Sequence, residues 1–243
     1  MRVIGVIPAR YGSTRFEGKP LADIWGKPMI QYVYERAKKA SILDEVIVAT
    51  DDSRIKEVVK NFGGKVAMTS PNHPTGTDRI GEVVKNLEVE IVINIQGDEP
   101  LIDPQLINEV GQPLLKDPKI EMATLAHEIT VKEKQMDANV VKVVTDTQSF
   151  ALYFSRSLIP YPRKMENLHV YEHIGIYAYR KNFLLKYIQL PSTILEKTES
   201  LEQLRALENG YKIKVIITKR YTGLSVDTKE DLEKVKAFLR QDS

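Results

Sequence analysis

The chain has no cysteine, one tryptophan, no strong excess of either charge and no long apolar run. Without cysteine there are no disulfides, no thiolate metal sites and no cysteine nucleophile. With 35 basic and 33 acidic residues in 243, and a net charge of +2, no broadly basic face exists to clamp nucleic acid, so any phosphate binding has to be local. No stretch approaches the roughly 18 apolar residues of a membrane span. The opening MRVIGVIPAR is too short in its apolar part for a secretory signal. A cytoplasmic protein, with no nucleic-acid partner and no membrane span, is expected. What remains is ordinary globular material, 42% hydrophobic and 28% charged, without a Gly-, Pro- or Ser-rich linker and without an internal repeat.

Val- and Ile-rich runs at Val3 to Ile7, Val46 to Ala49, Val66 to Met68 and Ile91 to Ile95 alternate with helical patterns. That alternation predicts a parallel sheet covered by helices. One helix is expected to open with Pro28 in its first turn and to present Ile30, Val33, Tyr34 and Ala37 on one face. A second follows Asp52. A third carries Ile80, Val83, Val84 and Leu87 behind a cap placed at Thr77, and a fourth starts at Asp103-Pro104.

The second half changes character. Met122 to Ile129, Val140 to Val144, Ala151 to Phe154 and Ile174 to Tyr179 read as strands with no long helices between them, which predicts a mixed sheet or an added β-hairpin arm. Helices return at Ser200 to Glu208 and after Thr228, where Thr228 and Asp231 have capping-box spacing. The expectation is a single domain over 1–243 with a β arm at about 150–175.

The loop after the first strand, IPARYGSTRFEGKPL, places Arg10, Arg15 and Lys19 among Gly12, Ser13 and Gly18. In open α/β sheets ligands bind beyond the carboxyl ends of the strands, and such a loop can surround a triphosphate with forked and point cations and backbone N–H groups. It is neither a P-loop nor a dinucleotide fingerprint, and composition alone leaves a solvated surface loop as an equal reading. Ile91 to Ile95 delivers Gln96-Gly97-Asp98-Glu99 to the same edge. Magnesium takes oxygen ligands, commonly one or two carboxylates with phosphate oxygens, which makes Asp98 a sensible anchor. Glu99 reads as a loop-orienting residue, Asp78 as a first-turn acid and His73 as a turn residue.

PARYGSTRFEGKPL, VIVATDD, HPTGTDR, INIQGDEP, YFSRSLIP, HIGIYAYR, LEQLRALENG and VDTKEDLEKV, in this order, resemble the 3-deoxy-manno-octulosonate cytidylyltransferase family over nearly the whole chain. The Arg-x-x-Ser-x-Arg and Gly-Lys-Pro elements are shared more widely by sugar nucleotidyltransferases; QGDEP and HIGIYAYR narrow the choice. The resemblance implies a Rossmann-like three-layer α/β nucleotidyltransferase fold, with a mostly parallel mixed sheet and a β-hairpin dimerisation arm around Phe154 to Arg163. It implies transfer of CMP from CTP to 3-deoxy-manno-octulosonate (Kdo), releasing pyrophosphate, for lipopolysaccharide biosynthesis, in a homodimer.

By the same resemblance, Asp227 joins Asp98 on magnesium, and Arg10, Lys19, Asp98 and Asp227 form the catalytic set. Ala9, Arg10, Ser13, Arg15, Lys19, Ser70 and Arg79 hold the nucleotide. Gln96, Arg156, His173, Tyr177, Glu202 and Gln203 hold the sugar acid. Read as residues alone, Asp227 could instead cap the last helix, Arg156 could pair with a surface acid, and Tyr177 could be packing. Glu202 and Gln203 could line a solvated helix face. A cytidylyltransferase for an acylneuraminate and a non-catalytic nucleotide-sensing protein are the alternatives. A glycosyltransferase would usually carry an Asp-x-Asp pair, which is missing.

Overall fold

The computed structural model describes residues 2–12, 16–166, 168–220 and 224–241. The chain separates into two compact units, Met1–Asn108 with Thr222–Ser243, and Glu109–Tyr221.

In the first unit, β1 (Val3–Ala9) is followed by a single 3-10 turn, Lys19–Leu21, then by a short hairpin of β2 (Asp23–Ile24) and β3 (Lys27–Pro28). Next come α1 (Met29–Ala37), β4 (Glu45–Thr50), α2 (Ser53–Asn61), β5 (Val66–Met68), α3 (Gly76–Val84) and β6 (Ile91–Asn94). β1 pairs in parallel with both β4 and β6, and β4 with β5, giving the order β6-β1-β4-β5. Val3, Ile4, Val6 and Ile7 of β1 and all four residues of β6 are buried, as a parallel strand enclosed by helices requires.

The helices are set by their apolar stripes and caps. Met29, Ile30, Val33, Tyr34 and Ala37 form the buried face of α1. Pro28 stands one position earlier than the sequence places it: its extended backbone (φ −67°, ψ 145°) makes it the cap, and the helix begins at Met29. Asp52 caps α2 by accepting from Arg54 N at 2.9 Å. The cap of α3 is Thr75 rather than Thr77. Thr75 Oγ1 accepts from Asp78 N, and Asp78 Oδ2 accepts from Thr75 N, so the box sits two residues upstream and buries Thr77 inside the first turn.

α4 (Pro104–Lys116) begins in the first unit and ends in the second. The second unit continues with β7 (Met122–Glu128), α5 (Lys132–Met136), β8 (Lys142–Thr145), β9 (Ala151–Ser155), β10 (Tyr171–Arg180), α6 (Lys181–Tyr187), α7 (Ile194–Glu199), α8 (Leu204–Glu208) and β11 (Ile213–Thr218). β7 pairs antiparallel with β10 and parallel with β11; β8 pairs antiparallel with β10 and with β9. The hairpin of β8 and β9 therefore starts at Lys142. β11 is a strand that the hydropathy reading passes over, because Lys214 interrupts a short run.

The C-terminal helix, Lys229–Gln241, belongs to the first unit, and Thr228 and Asp231 form the box that its spacing predicts. Val226, Leu232 and Val235 pack with Ile24, Met29 and Leu101 in one buried cluster. Burial of a side chain such as Val226 stabilises by about 1.5–3 kcal/mol. The cluster thereby fixes the two segments that carry Asp98 and Asp227.

Candidate active site

β1 and β6 end side by side, and their carboxyl ends open on a cavity of about 290 Å³ lined by Ala9, Arg10, Lys19, Arg79, Gln96, Gly97, Asp98 and Asp227, together with residues 73–76 at the start of α3. Ala9 is the last, buried residue of β1, and Arg10 is exposed just beyond it. Gly97 is a position of close approach: a Cβ there would stand 2.8 Å from the Pro8 carbonyl oxygen.

Lys19 is held by three oxygens. Its Nζ donates to Asp98 Oδ2 at 2.9 Å, to the Val226 carbonyl at 2.8 Å and to Asp227 Oδ1 at 3.3 Å. Val226 N donates in turn to Asp98 O at 2.8 Å, tying the two acidic segments together through the backbone. Two residues 129 positions apart thus converge on one cation. Burial, with the charge of Asp98 beside it, pushes the Glu99 carboxyl up to about 8, which favours its neutral form at pH 7. Among the described residues no three His, Cys, Asp or Glu side chains form a metal cage. The donor set is a carboxylate pair.

The far wall is braced. Arg79, 4% exposed, pairs with Asp51 Oδ2 at 3.0 Å, donates to Thr69 Oγ1 and reaches the Ser70 carbonyl at 3.4 Å. Ser70 N donates to Glu82 Oε2 at 2.9 Å, and His73 Nε2 pairs with the same carboxylate oxygen. Ser70 itself is not among the residues that line the cavity. Ser13 and Arg15 lie outside the described residues. Sequence reasoning missed the struts Asp51, Thr69 and Glu82, since an acid and a threonine at strand and helix ends look like ordinary surface residues.

In the second unit, Arg156 donates through Nε to the Glu199 carbonyl at 2.8 Å and through Nη1 to the Ala138 carbonyl at 3.0 Å, while its N–H reaches Glu199 Oε2 at 3.0 Å. Its guanidinium is therefore oriented by backbone rather than by a surface acid. His173 and Tyr177 face each other on β10 with ring centroids 5.4 Å apart. Burial and the charge of Glu202 push the Tyr177 phenol well above its usual value, which keeps it a donor. The Glu202 carbonyl accepts from Tyr187 OH at 2.6 Å. Gln203 is 4% exposed, and its buried Nε2 has no hydrogen-bond partner among the described residues.

Fold and cavity together are those of a nucleotidyltransferase: a parallel α/β unit whose first strand ends at a cavity where Lys19 meets a carboxylate pair. A family model described as cytidylyltransferase matches residues 4–213. The 3-deoxy-manno-octulosonate cytidylyltransferase of Syntrophotalea carbinolica is 53% identical, with 99% of each chain covered. That of Fusobacterium nucleatum is 51% identical over 100% of this chain and 99% of its own. A solved structure of CMP:2-keto-3-deoxy-manno-octonic acid synthetase complexed with CTP superposes with a TM-score of 0.96 at 49% identity, over the full length of both chains. The chain belongs to the cytidylyltransferase family, among the 3-deoxy-manno-octulosonate cytidylyltransferases.

Proposed function

We propose that the protein transfers CMP from CTP to the anomeric hydroxyl of 3-deoxy-manno-octulosonate, giving CMP-Kdo and pyrophosphate for lipopolysaccharide biosynthesis. The observation that carries this reading is the convergence of Lys19, Asp98 and Asp227 at the mouth of the β1 and β6 cavity. The relatives' names and the CTP complex of the similar solved structure point the same way. Whole-chain coverage supports treating 1–243 as a single nucleotidyltransferase domain, with nucleotide groups in the first unit and most sugar-acid groups in the second.

The chemistry is an in-line attack of the anomeric oxygen on the α-phosphorus: a new O–P bond forms, the bond from the α-phosphorus to the bridging oxygen breaks, pyrophosphate leaves with that oxygen, and the hydroxyl proton passes to water. No side chain needs to become covalent. The protein positions the two substrates and offsets charge on the phosphoryl oxygens. Lys19 would serve the α-phosphate and Arg10 the departing pyrophosphate, a role the family resemblance also assigns to Ser13 and Arg15. Arg79 keeps the Ser70 segment in place for base and ribose recognition.

Cytidylyltransferases generally use a divalent metal, and magnesium is our assignment. Two carboxylate oxygens already surround the Lys19 ammonium, so the donor chemistry suits a hard cation with phosphate oxygens completing its shell. When bound by Asp98 and Asp227, magnesium would offset phosphoryl charge and lower the pKa of the attacking hydroxyl. Gln96, Arg156, His173, Tyr177, Glu202 and Gln203 would hold the sugar acid, Arg156 taking its carboxylate. A homodimer through the β arm fits the exposed Leu152, Tyr161 and Met165. No helix among the described residues is long and apolar enough to cross a membrane, and a cytoplasmic site of action suits a CTP-dependent step.

Asp98→Ala is the test. Pyrophosphate release with CTP, magnesium and Kdo should collapse while the fold persists; retained turnover would sink the metal assignment. Substituting an acylneuraminate for Kdo separates the two sugar-acid readings.

A further inference from the structure

β10 carries two more residues than β7 between the pairs Ile174/Leu125 and Tyr177/Thr124, so Gly175 and Ile176 bulge out of the ladder. Bulges of this kind re-aim side chains and leave backbone groups in need of partners. Thr124, 0% exposed, fills the gap. Its Oγ1 lies 2.8 Å from the Ile176 carbonyl, 3.1 Å from the Ile174 carbonyl and 3.0 Å from His173 Nε2.

A hydroxyl has one proton, and carbonyl oxygens only accept. Were that proton aimed at Nε2, the lone pairs of Oγ1 would face two carbonyl oxygens with nothing between them. The satisfied arrangement gives the Thr124 proton to a bulge carbonyl and takes an N–H from His173. The imidazole is then protonated on Nε2 and carries its lone pair on Nδ1. Burial acts in the same direction, pushing His173 down to about 3, so the ring takes up no second proton at neutral pH. Phe154, edge-on at 5.0 Å, and Tyr177 at 5.4 Å wall the ring on two sides.

We propose that Thr124 is a positioning residue: by plugging the β10 bulge it fixes His173 as the Nε2–H tautomer, whose Nδ1 accepts a hydrogen bond from a hydroxyl of the sugar acid. This rests on the reading of His173 as a sugar-acid contact, and it narrows that reading. A neutral ring that presents a lone pair repels a carboxylate and accepts from an alcohol. His173 therefore selects for a ring or chain hydroxyl, and the acid group is left to Arg156.

The test is long-range proton–nitrogen correlation NMR on the full chain labelled with ¹⁵N-histidine, without ligands, joined to kinetics of Thr124→Val, Thr124→Ser and His173→Ala. Wild type and Thr124→Ser should show His173 neutral and protonated on Nε2. Thr124→Val should lose that single tautomer and raise KM for Kdo about tenfold, the scale of one hydrogen bond, with KM for CTP unchanged. Thr124→Ser should restore both readouts. An imidazolium, an Nδ1–H ring in the wild type, or an unchanged tautomer in Thr124→Val overturns the inference. If the tautomer is as stated but His173→Ala leaves KM for Kdo unchanged, the substrate contact itself fails and the hydroxyl assignment falls with it. Should Thr124→Val not fold, the wild-type and Thr124→Ser spectra still decide the tautomer.

Discussion

Lys19 Nζ lies 2.9 Å from Asp98 Oδ2, so the cation of the phosphate loop and the acid of the β6 loop are bonded across 79 residues of sequence. With Asp227 also within 3.3 Å, one ammonium neutralises charge that two carboxylates would otherwise leave facing each other. On the proposed reading, Asp98 and Asp227 would hold the hard cation, and the Lys19 ammonium would serve phosphoryl oxygen.

Lys19→Ala should therefore lower kcat by about 10²–10³, the scale of removing one preorganised charge from a transition state. The residue opens the Lys19–Leu21 turn outside the apolar cluster, so the fold should persist, but the loss of its bonds to Asp98, Val226 and Asp227 should lower the melting temperature. Pyrophosphate-release kinetics beside a circular-dichroism melt separate the two effects; a near-normal rate would remove Lys19 from the chemistry.

Much of the first unit is legible in the sequence because its buried strands are Val- and Ile-rich and its helices carry apolar stripes, with side-chain caps at α2 and α3. Thr75 escapes notice because Thr77 is equally good cap chemistry, and only the partner acid, Asp78, tells them apart. β11 escapes because its six residues alternate imperfectly. At the site, loop cations and acids show as chemistry-bearing residues, but their meeting depends on Val226 being buried with Leu101, a long-range packing fact that no local pattern contains.

Asp52→Ala should cost about 0.5–2 kcal/mol, since it removes the cap of α2. It also frees Arg54, which both grips Asp52 and lies 3.3 Å over the Tyr11 ring in the phosphate loop. The hydrogen bond from Arg54 holds the Asp52 carboxyl below its usual value. A depressed carboxyl stabilises the folded state above its unfolded pKa and loses that contribution as pH falls through the folded value. Wild type and variant should thus differ by a constant amount above about pH 5 and converge in acid, as read from denaturant midpoints across pH. A difference that grows on acidification would contradict the pairing.

Arg156→Ala should raise KM for Kdo about tenfold or more while leaving KM for CTP unchanged, if Arg156 takes the sugar-acid carboxylate as proposed. The variant also loses the bonds to Glu199 and Ala138, so its melting temperature should fall as well. Arg156→Lys divides the two roles: the charge stays near the carboxylate but the fork that spans the two carbonyls is gone. Equal weakening of both substrates in the alanine variant would make Arg156 a brace of the second unit and nothing more.

Gly97→Ala probes the site through backbone alone. The added Cβ would meet the Pro8 carbonyl oxygen at 2.8 Å, closer than real contacts of this kind, and a strand carbonyl cannot swing aside as a flexible side chain would. Relief has to come from moving the Gln96 to Asp98 loop away from the end of β1. Overpacking of this sort costs about 1–3 kcal/mol, which a chain of this size survives. The displacement falls on Asp98, one residue on, whose Oδ2 has to meet Lys19 and whose carbonyl accepts from Val226. Turnover should consequently fall about 10²-fold, the penalty for misplacing a catalytic group by an ångström, in a protein that still unfolds cooperatively. The kinetics should also show a weakened response to magnesium. Full activity with unchanged magnesium dependence would mean that the loop tolerates the shift, and that the close approach of Gly97 to β1 serves packing rather than the placement of Asp98.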